Sequence, residues 1–317
     1  MKALRIGTRG SALALWQANT VAGELRTRGA EIEIVRITTQ GDQRQEAPLA
    51  EAGGKGVFVK EIEDALLRED IDVAVHSSKD MAAQMADELV IGAVLPREDP
   101  RDALVLPSRS PVAQDFSPAT DFSPALLGDT PRIATSSPRR VAQLRGLIPG
   151  ARFEAIRGNV DTRLRKLDAG ESDALILAAA GLRRLGLGHR ISSYIPVERC
   201  MPAPGQGIVA VQVRRSNDRA YSLVAAMNDA TARLALAAEQ AVVTALGGGC
   251  QLPLGVFAEL RDSELVLRAV AASLDGRRAV AGEVRDSRPA TLAHAAAIGT
   301  RLAHDLIARG ARTILES

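Results

Sequence analysis

Apolar and polar positions along this chain follow two rhythms in turn. Residues 4–7 form a short Leu-Arg-Ile-Gly run, after which Ala14, Leu15, Ala18, Val21, Ala22 and Leu25 recur at the i, i+3, i+4 spacing of one buried helix face. The run predicts a strand and the spacing predicts a helix. Residues 32–37 predict a second strand, Phe58, Glu61, Ile62, Ala65 and Leu66 mark one face of a second helix, and residues 71–76 predict a buried third strand. Strands alternating with helices imply a parallel sheet covered on both faces.

The rhythm breaks across residues 96–100 and again across 107–131, where Pro, Ser and Asp crowd together and Asp-Phe-Ser-Pro occurs twice. A boundary followed by a long surface loop is expected there. Strands at 132–135, 152–156 and 174–177 then alternate with helices through Val141 and Leu144 and through Leu164 and Leu167, which predicts a second α/β domain. Residues 202–213 are rich in Pro and Gly and then apolar, as in a segment crossing back between domains. One long Ala-rich helix is predicted over 222–246. Strands at 256–260, 264–271 and 279–285, separated by Asp/Ser and Asp-Gly turns, predict an antiparallel sheet, and a helix over 290–308 closes the chain.

Composition narrows the class. At 317 residues the chain is long enough for two or three domains with cores of their own. Lys+Arg 40 against Asp+Glu 38 leaves a net charge of +2, so bulk electrostatics give no case for a nucleic acid or an anionic membrane as partner. Aromatic residues are only 3% of the chain, so Ala, Leu, Val and Ile must build the core. Two cysteines, Cys200 and Cys250, cannot make a disulfide framework, and with four scattered histidines they offer no zinc constellation; no metal is expected. Lacking a signal-peptide pattern and an apolar run long enough to cross a bilayer, the chain is expected to be cytoplasmic.

Chemistry is expected at the carboxyl ends of the parallel strands, where turns meet helix N-termini. Four such turns carry cations beside hydroxyls or glycines: Thr8-Arg9-Gly10-Ser11, Gly53-Gly54-Lys55-Gly56, Ser77-Ser78-Lys79-Asp80 and Thr135-Ser136-Ser137-Pro138-Arg139-Arg140. Arg157, Arg163 and Arg183-Arg184 follow. Any one alone is ordinarily a solvated surface charge; together they suit a polyanionic ligand, and arginine favours carboxylates or phosphates. Gly53-Gly54-Lys55-Gly56 is not a Walker loop, because position 49 is Leu where that motif needs Gly. Asp80 is open to two readings, a helix cap or a carboxylate that stabilises a cationic intermediate and carries protons. Cys250 is likewise open, a small buried hydrophobe or a thiol presented by Gly247-Gly248-Gly249 for covalent chemistry.

These motifs, with Ala74-Val75-His76-Ser77-Ser78-Lys79-Asp80, Arg97-Glu98-Asp99-Pro100-Arg101-Asp102-Ala103, Arg157-Gly158-Asn159-Val160-Asp161-Thr162-Arg163-Leu164, Pro204-Gly205-Gln206-Gly207 and Gly247-Gly248-Gly249-Cys250-Gln251-Leu252-Pro253, run in one order over nearly the whole chain. In this the sequence resembles the porphobilinogen deaminase (hydroxymethylbilane synthase) family. The resemblance implies two doubly wound α/β domains like those of periplasmic binding proteins, with the active site between them, and a smaller α+β domain with an antiparallel sheet. The expected boundaries are 1–96 with 204–226, 97–203, and 227–317. It implies a transferase of tetrapyrrole (heme) biosynthesis that condenses four porphobilinogen molecules head to tail into hydroxymethylbilane, releasing ammonia at each step. It also implies a dipyrromethane cofactor held as a thioether by Cys250.

Position by position, the resemblance makes Asp80 the catalytic carboxylate. It assigns Ser77, Lys79, Thr135, Ser137, Arg139, Arg140, Arg157, Arg163 and Arg184 to the cofactor, and Arg9, Ser11, Lys55, Phe58, Arg157, Arg163, Arg184 and Gln206 to the substrate. A monomer with porphobilinogen as its small-molecule partner is expected. Glu51 stands where the family commonly has Lys, Met81-Ala82-Ala83 replaces a Pro-containing stretch, and Pro138 replaces Leu. None of these removes a residue assigned to chemistry. A hinged, non-enzymatic capture protein for an organic anion is the rival reading; it gives no reason for the glycine-flanked Cys250 or for the third domain.

Overall fold

The computed structural model describes residues 2–39, 59–82, 84–110, 122–248 and 252–316. The chain divides into two compact units, Met1–Glu98 with Ile208–Leu234 and Asp99–Gly207 with Ala235–Ser317.

In the first unit, β1 (Leu4–Thr8), α1 (Ala12–Thr27), β2 (Ile32–Arg36), α2 (Lys60–Leu67) and β3 (Val73–Ser77) follow the predicted alternation. β4 (Leu89–Val94) and β10 (Val209–Arg214) complete a sheet of order β2-β1-β3-β10-β4. β1 runs parallel to β2 and β3, whereas β10 runs antiparallel to both of its neighbours. The apolar run after the Pro/Gly-rich segment is thus a strand that re-enters the sheet in reverse. α1 lays Ala18, Val21, Ala22 and Leu25 on one face against Leu4, Ile6, Val73 and Val75. α2 lays Ile62, Ala65 and Leu66 on the other, with Ile71, Ala74 and Leu89. Each large side chain so buried stabilises by roughly 1.5–3 kcal/mol.

The single helix predicted over 222–246 is instead two, α6 (Asp218–Ala225) and α7 (Ala230–Ala245). The break lies at Asn228 and Asp229. Asn228 Oδ1 accepts from Val94 N at 3.1 Å, Asp229 N donates to Val94 O at 2.9 Å, and Asp229 Oδ1 accepts from Ala232 N at 2.7 Å to cap the second helix. Short polar side chains compete for backbone groups in this way and end helices.

The second unit repeats the plan. β5 (Asp102–Val105), β6 (Arg132–Ala134), β7 (Arg152–Glu154), β8 (Ala174–Ala178) and β9 (Ser193–Ile195) form a sheet of order β7-β6-β8-β5-β9, with β5 as the reversed strand. α3 (Pro138–Arg145), α4 (Val160–Asp168) and α5 (Ala179–Arg184) follow the parallel strands. Of the expected surface loop, residues 111–121 lie outside the described residues. Its described ends are tied down, since Ser108 Oγ donates to Asp168 at 2.8 Å and Phe122 is buried.

The predicted antiparallel sheet is present as β11 (Leu254–Leu260), β12 (Glu264–Ala272) and β13 (Ala279–Ser287). It belongs to the second unit through close backbone contact: Val256 N donates to Pro202 O at 2.9 Å, and a Cβ on Gly255 would stand 2.6 Å from that of Met201. α8 (Leu292–Ala308) buries Ile298, Leu302 and Leu306, and its Gly299 meets the Ala238 carbonyl of α7. α9 (Ala311–Leu315) ends the chain.

Candidate active site

The ends of β1 and β3 lie side by side, because both strands run parallel in one sheet. Beyond β1, Ser11 caps α1, its Oγ accepting from Ala14 N at 3.2 Å. Beyond β3 the chain makes one short 3-10 turn, Ser78–Asp80, pinned by Ser78 N donating to Ile208 O at 3.0 Å. Arg9, Ser11, Gln17, His76, Ser77 and Asp80 consequently line one small cavity, with apolar walls from α1 and α2. Asp80 is half-buried here, and Lys79 is half-buried beside it. A carboxylate, a guanidinium and hydroxyls converging on one space can hold an anionic ligand and face a positive charge formed on it.

Two further residues of this cavity carry polar chemistry. Gln17 is buried on the otherwise apolar face of α1 and donates from Nε2 to Ser77 Oγ at 2.8 Å, fixing that hydroxyl. His76 is buried, its Nε2 lying 3.1 Å from Gln212 Oε1, while Gln212 Nε2 donates to Glu63 Oε1 at 2.8 Å. The amide of Gln212 thus faces Glu63 and its carbonyl faces the imidazole; an amide carbonyl only accepts, so Nε2 of His76 carries the proton. Burial lowers the His76 pKa to about 4, against the weaker opposing pull of Gln212, so the ring is neutral at neutral pH. Burial pushes the Glu63 carboxyl upward, with the Gln212 bond opposing it.

In the second unit the corresponding strand end is β6. Thr135 is buried there, its Oγ1 accepting from Ser137 N at 3.3 Å, and Ser136 Oγ clasps Ile156 O at 2.5 Å. Pro138 opens α3, a position where its missing N–H costs nothing. Arg139 and Arg140 then turn inward. Arg139 Nη1 donates to Asp102 Oδ2 at 2.8 Å and to Met201 O at 2.6 Å. Arg140 donates to Asp102 Oδ1 from Nε at 3.1 Å and from Nη2 at 2.7 Å, and to Ile176 O from Nη1 at 3.0 Å.

Burial alone would raise the carboxyl of the fully buried Asp102, but the charges of Arg139 and Arg140 override it and hold Asp102 far below the usual carboxylate range. Gln206 is buried too, donating from Nε2 to the same Oδ1 at 3.0 Å and to Pro100 O at 2.7 Å. Its backbone neighbour Gly205 donates to Glu239 Oε2 at 2.6 Å. Cys200 lies 3.4 Å from Asp102 Oδ2; burial, then that negative charge, pushes its thiol up to about 12.

Arg157 is half-buried just before Gly158, whose positive φ of 105° and crowding by Thr162 require glycine. Arg163 Nε donates to Gly158 O at 2.8 Å, and Arg184 Nη2 donates to Gly207 O at 2.7 Å. Lys55, Phe58 and Cys250 lie outside the described residues. Sequence reasoning missed Gln17, Asp102, Gln212 and Glu63. Two left a signal, a polar residue on an apolar helix stripe and a carboxylate opening an apolar strand.

Among the described residues, no group of three His, Cys, Asp or Glu side chains is placed to hold a metal ion, and no helix is long and apolar enough to cross a membrane.

The fold and site define an α/β protein with a carboxylate-centred cavity and a second, cationic strand end. Residues 4–222 match the family model "Porphobilinogen deaminase, dipyromethane cofactor binding domain", and residues 233–308 match "Porphobilinogen deaminase, C-terminal domain". A porphobilinogen deaminase of Syntrophotalea carbinolica is 44% identical over 315 residues, covering 99% of this chain and 95% of that protein. One from Geotalea daltonii is 43% identical over 317 residues, covering 99% and 94%. The chain belongs to the porphobilinogen deaminase family. Among solved structures, immunogenic lipoprotein A from Vibrio vulnificus is similar at a TM-score of 0.42 and 15% identity, covering 71% of this chain and 94% of that one. The methionine binding protein MetQ is similar at 0.42 and 13%, covering 71% and 89%.

Proposed function

We propose that this chain condenses four porphobilinogen molecules head to tail into hydroxymethylbilane, with loss of ammonia at each step, from a dipyrromethane primer bound through Cys250. The observation that carries this reading is the convergence of Asp80, Arg9, Ser11 and Ser77 on one cavity at the ends of β1 and β3. Porphobilinogen bears acetate and propionate groups and an aminomethyl arm. Arg9 and Ser11 suit its carboxylates, and Asp80 suits the ammonium arm, the cation left when ammonia departs, and the proton released once the new carbon–carbon bond forms. Positions of charge matter more than their number, because a fixed carboxylate in a partly dry cavity need not reorganise as the positive charge develops.

The residues fit the primer. The primer supplies a nucleophilic pyrrole carbon and a set of carboxylates. Among the described residues, Arg139 Nε is buried without a hydrogen-bond partner, on the cationic helix where an anionic group is called for. Ser77, Lys79, Thr135, Ser137, Arg139, Arg140, Arg157, Arg163 and Arg184 would hold the carboxylates. Lys55, Phe58 and Gln206 would complete the substrate contacts. We further assign three domains with the boundaries 1–96 and 204–226, 97–203, and 227–317, a monomeric state and a cytoplasmic location. Adding porphobilinogen to purified protein tests the reading: ammonia and a linear tetrapyrrole are expected together. Binding of porphobilinogen without ammonia release would instead favour a capture protein.

A further inference from the structure

The cluster beneath α3 has an uneven charge. Asp102, Arg139 and Arg140 are 0%, 3% and 6% exposed, so two buried cations face one buried anion. Cys200, as a thiol, adds no charge. Desolvated charge of one sign is costly unless it is paired, and the surplus is positive. Asp102 does not share itself evenly. Its Oδ1 takes two bonds from Arg140 and one from Gln206; its Oδ2 takes a single charged bond, from Arg139.

The two arginines are therefore held differently. All three nitrogens of Arg140 have acceptors inside the fold, two on Asp102 and one on Ile176 O. Arg139 is anchored by Nη1 alone, through Asp102, Met201 O and, at 3.5 Å, Cys200 Sγ, and its buried Nε has no partner among the described residues. Asp102 opens β5, the reversed strand of the sheet, which places its carboxylate at the same end as the start of α3.

We propose that Asp102 is a positioning residue of the reaction. It locks Arg140 as a strut, whose second hydrogens on Nη1 and Nη2 stay available to the ligand, and aims Arg139 at a carboxylate of the primer, so that the surplus positive charge is offered to the ligand in one orientation. The inference rests on the reading that α3 faces the dipyrromethane. It goes beyond that reading in giving a role to a residue that touches no ligand, and in separating the two arginines. A long guanidinium left without this anchor would sample several rotamers, and each ligand contact would then have to order it.

The test is the fraction of folded protein carrying the covalent adduct, read by intact mass, together with KM and kcat on the loaded fraction. Wild type is measured first. Asp102→Asn keeps the shape and removes the charge, and a roughly tenfold or greater loss of adduct or rise in KM is expected, with a native circular dichroism spectrum. Arg140→Lys keeps the charge but loses the two-pronged grip on Asp102, and the same loss is expected. Because both act through one arrangement, the double variant is expected to be no worse than the poorer single variant.

Should Asp102→Asn not accumulate in folded form, Asp102→Glu carries the test, since it keeps the charge and displaces it by one methylene. The same direction of loss is expected. Full loading with unchanged KM in the folded variants, or losses that simply add in the double variant, would overturn the role of Asp102 while leaving the site reading intact. A wild type without adduct would overturn both.

Discussion

Gln212 turns its side-chain carbonyl to His76 Nε2 at 3.1 Å and its amide to Glu63 at 2.8 Å, so one glutamine sets the tautomer of a buried imidazole in the candidate active site. The same arrangement makes stability depend on pH. The native pKa of His76 is lowered to about 4 from an ordinary 6.5, so between these values the unfolded chain binds more protons than the native one. Stability then rises with pH through that window. The contribution is complete above about pH 6.5 and is lost as pH falls toward 4, amounting to about 3 kcal/mol. Urea midpoints should fall more steeply from about pH 7 to about pH 5 in wild type than in His76→Phe. Equal slopes would remove His76 as the cause.

Asp80 closes the short turn after β3 and is half-buried, with no neighbour whose packing requires its charge among the bonds described above. Asp80→Asn is therefore expected to unfold within about 1 kcal/mol of wild type and to lose roughly 10²–10⁴-fold in kcat. Near-normal turnover would refute its role, and a large loss of stability would make the residue structural.

Gly299 separates α8 from α7. A Cβ there would meet the Ala238 carbonyl and stand 2.9 Å from Ala241 Cβ, against backbone that cannot swing aside. Gly299→Ala should destabilise the protein by about 1–3 kcal/mol despite the better helix propensity of alanine. Differential scanning calorimetry would register a lowered Tm. An unchanged or raised Tm would mean that the two helices part without cost.

The local rhythm carried most of this fold. The β1, α1, β2 and α2, β3 alternation, and the three antiparallel strands, follow from apolar spacing and turn residues alone. What stayed hidden depends on partners far along the chain. Asn228 and Asp229 break the long Ala-rich helix because Val94 lies waiting, more than a hundred residues earlier. The direction of β10 is not encoded in its own apolar run, which suits either sense of pairing. The hydroxyl, carboxylate and cation motifs were legible at strand ends, since chemistry collects there in parallel sheets. Their supports were not. Asp102 meets Arg139 and Arg140 across 37 and 38 residues, and Gln212 meets His76 across 136.

Covalent attachment of the primer is the claim on which the rest depends, and the two cysteines make it sharply testable. Cys200 is buried against Asp102 and its thiol is pushed up to about 12, so it is a poor nucleophile. Intact mass of the native protein followed by peptide mapping should show one adduct of two pyrrole units, on the peptide containing Cys250, with the Cys200 peptide unmodified. An active protein of unmodified mass, or an adduct on Cys200, would contradict the account.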